Sequence, residues 1–186
     1  MFELLGKMRA GDYPRMNADG LHRNSLDDVL DKHTTLALSD SERDELNEVW
    51  HRLNVWPDAT EAIAGLRERY TVVVLTVLSW AIVVDSSKAA GIVWDGVLSC
   101  DFLARYKPEP EAYQHAARLL RLEPAQTMMV AAHHGDLRAA TAEGMNTAYV
   151  PRPGEQGEGH DRNLSPLPEF DINATDFPDL VRQLCG

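Results

Sequence analysis

The apolar residues of this chain change their period along its length, and the change divides it. In the first part, up to residue 54, they recur at helical spacing. Phe2, Leu4, Leu5 and Met8 form a short stripe stopped by Gly11 and Pro14, and Leu21, Leu26, Val29 and Leu30 form a second in a segment opening near Asn17. Ser39-Asp40-Ser41-Glu42 sets a hydroxyl and a carboxylate at capping-box spacing. The helix it opens carries Leu46, Val49, Trp50 and Leu53 on one face, and no strand candidate precedes residue 70.

Beyond Pro57, apolar β-branched runs alternate with helical stretches. A helix through Ala59, Ile63 and Leu66 leads to a strand at Tyr70–Thr76, then a helix from Trp80 to Ala90 stopped by Gly91. A short strand at Val97–Ser99, a helix from Glu109 to Leu120, and a strand at Thr127–Ala132 follow. A helix from Asp136 to Glu143, strands at Thr147–Val150 and Asp171–Ala174, and a closing helix from Phe177 to Leu184 complete the pattern, with a surface loop over Gly154–Pro168. This alternation predicts an α/β fold: a Rossmann-like parallel sheet core with right-handed crossovers. Residues 1–56 read as a portion of a helical cap and 57–186 as the core.

Composition narrows the function classes. Hydrophobic residues at 44% and charged residues at 25% are those of a soluble globular protein. A net charge of −11 argues against nucleic acid, which needs clustered Lys and Arg. No run approaches the ~20 apolar residues of a membrane span, and Met1–Lys7 is too short and charged for a signal peptide. Cys100 and Cys185 stand far apart without metal-ligand spacing, so a reduced, cytoplasmic chain is expected.

Candidate chemistry gathers between Tyr70 and Asp136, where two apolar strands end in polar groups, as α/β sites do. Thr76 closes the first: its hydroxyl serves either as a donor to an anionic substrate or as a terminator tied to local backbone. Lys107 is aimed from the stiff loop Tyr106-Lys107-Pro108-Glu109-Pro110. Asp136 either answers a helix dipole or orients Lys107 and polarises water. His133 and His134 follow the second strand and are candidates to line a pocket, but adjacent histidines point apart and make a poor metal pair. Trp50, Trp56, Trp80 and Trp94 read as packing residues. Neither a glycine-rich phosphate loop nor a nucleophile-elbow serine occurs.

Together, the strand ending in Thr76, Tyr106–Tyr113 and Met129–Asp136 resemble the haloacid dehalogenase superfamily, specifically its type II (S)-2-haloacid dehalogenase branch. Gly144–Pro153, His51-Arg52-Leu53 and Trp56-Pro57-Asp58 are similar to that branch as well. The resemblance implies hydrolytic removal of halide from a small 2-haloacid or other small acid through an aspartyl ester, without metal or other cofactor. Thr76 matches the second motif, Lys107 the charge-balancing lysine, Asp136 the fourth-motif acid, His133 a water-placing position and Tyr113 a tyrosine near the site. His134 and Val77 are further substrate-binding candidates, Val77 standing where the branch has an amide and Leu78 where it has a glycine. Many relatives are dimers, so the resemblance admits a homodimer.

One part of the family pattern does not occur: an apolar strand ending in Asp-x-x-Gly-Thr, which supplies the nucleophile. Asp12 and Asp19 follow no such strand, so no nucleophile is assigned. The resemblance implies that the sequence begins inside the cap and lacks the central strand between Tyr70–Thr76 and Thr127–Ala132, which would leave both edges unpaired. It therefore predicts an inactive chain, with a non-catalytic remnant or interaction protein as the alternative and a Mg²⁺-dependent phosphatase ranked last.

Overall fold

The computed structural model of the chain describes residues 2–33, 35–103, 105–157, 159–160 and 164–186; part of the Gly154–Pro168 loop and the side chain of Phe2 lie outside the described residues. The first part is helical, as its periodicity predicts: α1 (Phe2–Ala10), α2 (Ala18–Leu30) and α3 (Asp40–Asn47), followed by a 3-10 turn at Glu48–Arg52. The Ser39 capping box forms, with the Ser39 N–H donating to the Glu42 carboxylate at 2.8 Å and the Glu42 N–H donating back to the Ser39 hydroxyl. Tightening after Asn47 breaks the expected continuous apolar face, and Leu46, Val49, Trp50 and Leu53 are all exposed. Trp50, Trp56 and Trp80 are 38%, 39% and 48% exposed and pack at the surface, Trp50 stacked on His22 and Trp56 under Arg152, while Trp94 is half-buried.

The remainder is α/β. In chain order it comprises α4 (Ala59–Arg67), β1 (Val73–Thr76), α5 (Trp80–Ala90), β2 (Gly96–Ser99), α6 (Cys100–Leu103) and α7 (Pro110–Leu119). A 3-10 turn at Pro124–Gln126 then precedes β3 (Met128–Ala131), α8 (His134–Ala142), β4 (Asn146–Tyr149), β5 (Ile172–Asn173) and α9 (Phe177–Cys185). Gly91 ends α5 in the left-handed region at φ 70°, which its missing Cβ permits. Helix α8 starts at His134, two positions before the expected start, because His133 takes the extended backbone of an N-cap.

All pairings are parallel, but the described strands form two separate sheets. β1 pairs with β2 from Val73↔Gly96 to Thr76↔Ser99; β3 pairs with β4 from Met128↔Asn146 to Ala131↔Tyr149, and β4 pairs with β5. Among the described residues no ladder joins β1 to β3, so the sheet is interrupted where the family resemblance implies. The two strands still share side-chain packing. Val72, Met128 and Val130 pack on the Leu66, Ala148, Val150 and Leu180 cluster, and Leu75 and Met129 on the Tyr113, Ala117, Ala140 and Met145 cluster. Every residue of β1 and β3 is only half-buried, whereas Thr147, Ala148 and Tyr149 of β4, with a partner on each side, are buried. Partial exposure lets water meet the unpaired N–H and C=O groups, each of which would cost about 1–3 kcal/mol if orphaned in the interior.

The helical part is packed into the same body. Leu4, Leu5 and Met8 of α1 and Leu21 of α2 meet Cys100, Leu103 and Tyr106, with Leu75 and Val77 against them. No helix of the described residues is long and apolar enough to cross a membrane.

Candidate active site

The site is built by one stiff loop, two helix starts and the ends of two strands. The loop closes on itself: the Glu109 N–H donates to the Tyr106 carbonyl at 2.9 Å and the Tyr106 N–H to the Glu109 carboxylate at 3.2 Å. The Tyr106 hydroxyl donates to the Met16 carbonyl at 2.7 Å, tying the loop to the segment ahead of α2. The Lys107–Pro108 peptide is cis, and Pro110 opens α7 at a position where a missing N–H costs nothing. Helix α7 buries Ala112, Tyr113, Ala116 and Ala117, which fixes Tyr113, itself fully buried, with its hydroxyl toward α8.

Asp136 lies in the first turn of α8, where the helix N-terminus favours negative charge. Its carboxylate is gripped from both sides: the Lys107 ammonium donates to Oδ2 at 2.7 Å and the Tyr113 hydroxyl donates to Oδ1. The Lys107 and Asp136 side chains are 17% and 15% exposed, so the pair is largely withdrawn from water but reachable. Three of the sequence-selected residues, Lys107, Tyr113 and Asp136, thus meet. The arrangement sets a carboxylate beside an ammonium and a phenolic donor, which suits recognition of a small anion and placement of water.

The other candidates have their own partners. The Thr76 hydroxyl, at the carboxyl end of β1, accepts from the Leu78 N–H at 3.0 Å, and the Ser99 hydroxyl donates to the Leu78 carbonyl at 2.7 Å. Val77 is turned onto the α1 cluster. His133 meets Glu155 at 2.9 Å. His134 is buried against Tyr149 and Phe170, with Nε2 3.1 Å from the Ser165 carbonyl, so its ring faces the core. Cys100 is also close to the loop, but burial pushes its thiol up, away from the reactive thiolate. No group of three or more His, Cys, Asp or Glu among the described residues is placed to hold a metal ion.

A family model described as haloacid dehalogenase-like hydrolase matches residues 7–144. The chain belongs to the haloacid dehalogenase-like hydrolases. Among their members, it is 32% identical over 119 residues to the (S)-2-haloacid dehalogenase 4A of Burkholderia cepacia, covering 62% of this chain and 52% of that protein. The chain therefore spans about half the length of this relative. It is 27% identical over 165 residues to the (S)-2-haloacid dehalogenase 1 of Pseudomonas sp. strain CBS-3, covering 83% of this chain and 72% of the other. The crystal structure of the L-2-haloacid dehalogenase PA0810 superposes with a TM-score of 0.92 at 37% identity, covering 97% of this chain and 77% of that one. A defluorinating L-2-haloacid dehalogenase gives the same TM-score, 0.92, at 36% identity.

A second polar cluster escaped the sequence reading. His51 of the 3-10 turn lies between two carboxylates, with Nε2 2.7 Å from Asp19 of α2 and Nδ1 2.7 Å from Asp85 of α5. Burial would lower its pKa, but the bonds to Asp85 and Asp19 outweigh that and leave it raised. Asp19, penalised by burial yet bonded by Ser79 and His51, stays below the usual carboxylate range. Each residue type is common; only the meeting of three distant segments marks the cluster, and neither spacing nor period signals that.

Proposed function

We propose that this chain carries the charge-balancing part of a hydrolytic 2-haloacid dehalogenase site and turns over no haloacid by itself. The observation that carries the reading is Asp136 held between the Lys107 ammonium and the Tyr113 hydroxyl where β3 gives way to α8. In the reaction, a carboxylate oxygen attacks the halogen-bearing carbon, the carbon–halogen bond breaks, and halide leaves with the electron pair. Water then cleaves the resulting ester to a hydroxy acid, a proton and the regenerated carboxylate. Lys107 would balance the substrate carboxylate, Thr76 would donate to it, and Asp136 with His133 would place the water.

None of Asp136, Asp19 and Asp12 is placed for the first step. Asp136 is engaged as described; Asp19 is held by His51 and Ser79, and Asp12 is exposed in the turn after α1. The interruption between β1 and β3 favours the second reading, a small-acid binding form of the fold without turnover. A cytoplasmic location and a homodimer go with the family reading.

The test is halide release from 2-chloropropionate with EDTA present, alongside binding of the same acid followed by NMR. Binding that Lys107→Ala weakens about tenfold or more, without halide release, is the expected outcome. Halide release above background that Lys107→Ala abolishes would show that the chain is a complete enzyme, and undiminished binding to that variant would remove Lys107 from the site.

A further inference from the structure

Among the described residues, one edge of β1 and one edge of β3 take part in no ladder. The N–H and C=O of successive strand residues point to opposite edges. The Val72 carbonyl accepts from the Asp95 N–H at 2.9 Å, so Val72, Val74 and Thr76 face β2, and Val73 and Leu75 face away from it. The Thr127 and Ala131 carbonyls accept from the Asn146 and Val150 N–H groups at 3.0 and 3.1 Å. Met129 therefore faces β4, while Met128 and Val130 face away.

Side chains show that the two edges border one interval. Val72, Met128 and Val130 enter the cluster around Leu66 and Leu180 on the α4–α9 face. Leu75 and Met129 enter the cluster around Tyr113 and Ala140 on the α7–α8 face. Both strands thus lie between the same two helix layers. In L-residues, the face a side chain takes fixes the edge to which its own backbone groups point. Even-numbered residues of both strands take the α4–α9 face, and their backbone groups point toward the β2 side of the sheet. β1 and β3 therefore run in the same direction. Their backbones do not lie side by side at the ~4.8 Å of paired strands.

These features define what fits between them. Val73 and Leu75 on one side, and Met128 and Val130 on the other, present donors and acceptors in the alternation that an extended backbone matches. Helices cover both faces and the clusters there are apolar, so a fitting strand is apolar at every position, as buried parallel strands are. β4 shows the result of having a strand on each side: Thr147, Ala148 and Tyr149 are buried, whereas β1 and β3 are half-buried.

We propose that the interval between β1 and β3 binds one extended, apolar segment of a partner polypeptide, parallel to both strands, which joins the two sheets into one. Main-chain bonds supply affinity, and the two covered faces select β-branched apolar side chains. The inference does not rest on Lys107 binding an acid.

Hydrogen exchange of the full chain, followed by NMR with and without peptide, provides the test. The probe is an acetylated, amidated run of about five valines with lysines at both ends for solubility; its control has proline at the central position. In the free chain, the amides of Val73, Leu75, Met128 and Val130 should exchange at least about tenfold faster than those of Val74 and Met129, which point into the ladders. The valine peptide should bind saturably, at least about tenfold more tightly than the proline control, and should slow the four amides to the exchange of the ladder. Four amides already slow in the free chain would show that the chain closes its own sheet. That result would overturn the proposal, as would no saturable binding at millimolar peptide or equal affinity for the control. Protection that rises with protein concentration alone would also overturn it, by making a second copy the occupant.

Discussion

Asp136 and Asp19 are each held by more than one donor, and they differ in where the donors originate. Asp136 receives Lys107 and Tyr113, which flank the start of α7 and arrive together on one rigid stretch of chain. Asp19 receives His51 from the 3-10 turn and Ser79 from the N-terminus of α5, and His51 extends the chain of contacts to Asp85. The first cluster presents charge at the ends of strands. The second clamps the helical part onto the α/β part and includes a group whose charge changes near neutral pH. One arrangement suits chemistry and the other suits docking, although their carboxylates are similarly shielded, with side chains 15% and 25% exposed.

The largest effect should come from Asp136→Ala. It strands the Lys107 charge and the Tyr113 hydroxyl, and should cost about 2–3 kcal/mol in urea unfolding at pH 7, toward the lower end for broken buried pairs because water reaches the site. A loss under half a kcal/mol would show the pair to be solvated. Asp19→Ala should cost about 1–2 kcal/mol, since it leaves the O–H of the fully buried Ser79, whose oxygen still accepts from the Ile82 N–H, without an acceptor and one His51 nitrogen unpartnered.

The next effect is in pH dependence. The folded pKa of His51 is raised above 6.5, so its contribution is complete below that pH and fades as pH rises through the folded value. Asp19 contributes above its unfolded value of 3.8 and loses that contribution only as pH falls through its lower folded value. His22 runs opposite to His51: its folded pKa is depressed below 6.5, so stability is lost as pH falls. The wild-type chain should therefore be most stable near pH 6.5. His51→Gln should flatten the decline above that pH and leave the acid limb, as read from unfolding midpoints between pH 5 and 8. An unaltered alkaline limb would remove His51 as its source. Asp85→Asn should have the smallest effect, within about 0.5 kcal/mol, because this partner is 54% exposed and screened; a larger loss would make Asp85 an equal member of the clamp.

The same contrast separates what was legible in the sequence from what was not. Lys107 and Asp136 could be selected because each sits at a local signal, an X-Pro loop and a strand-to-helix junction, whereas Tyr113 was selected through the family resemblance alone. His133 and His134 have equally good local signals, yet Glu155 engages one and the Tyr149–Phe170 core takes the ring of the other. Adjacent side chains diverge, and only packing decides which faces the site. The clamp and the exposed tryptophans depend on contacts between segments far apart in the chain, which leave no periodic trace.

By itself the sequence determined the helical first part and the alternation that demands parallel strands, which follow from hydrophobic period and capping chemistry encoded over a few residues; the family and the place where the sheet breaks came from the resemblance that its motifs carry. The tertiary structure alone decided that β1 and β3 remain joined through shared side-chain clusters without a common ladder, that Asp136 is gripped from two sides, and that Asp19 belongs to a clamp. Side-chain packing can act across an unpaired strand edge because it is non-directional, whereas hydrogen bonds need a specific partner at a specific distance. Which partner arrives is settled only when distant segments meet.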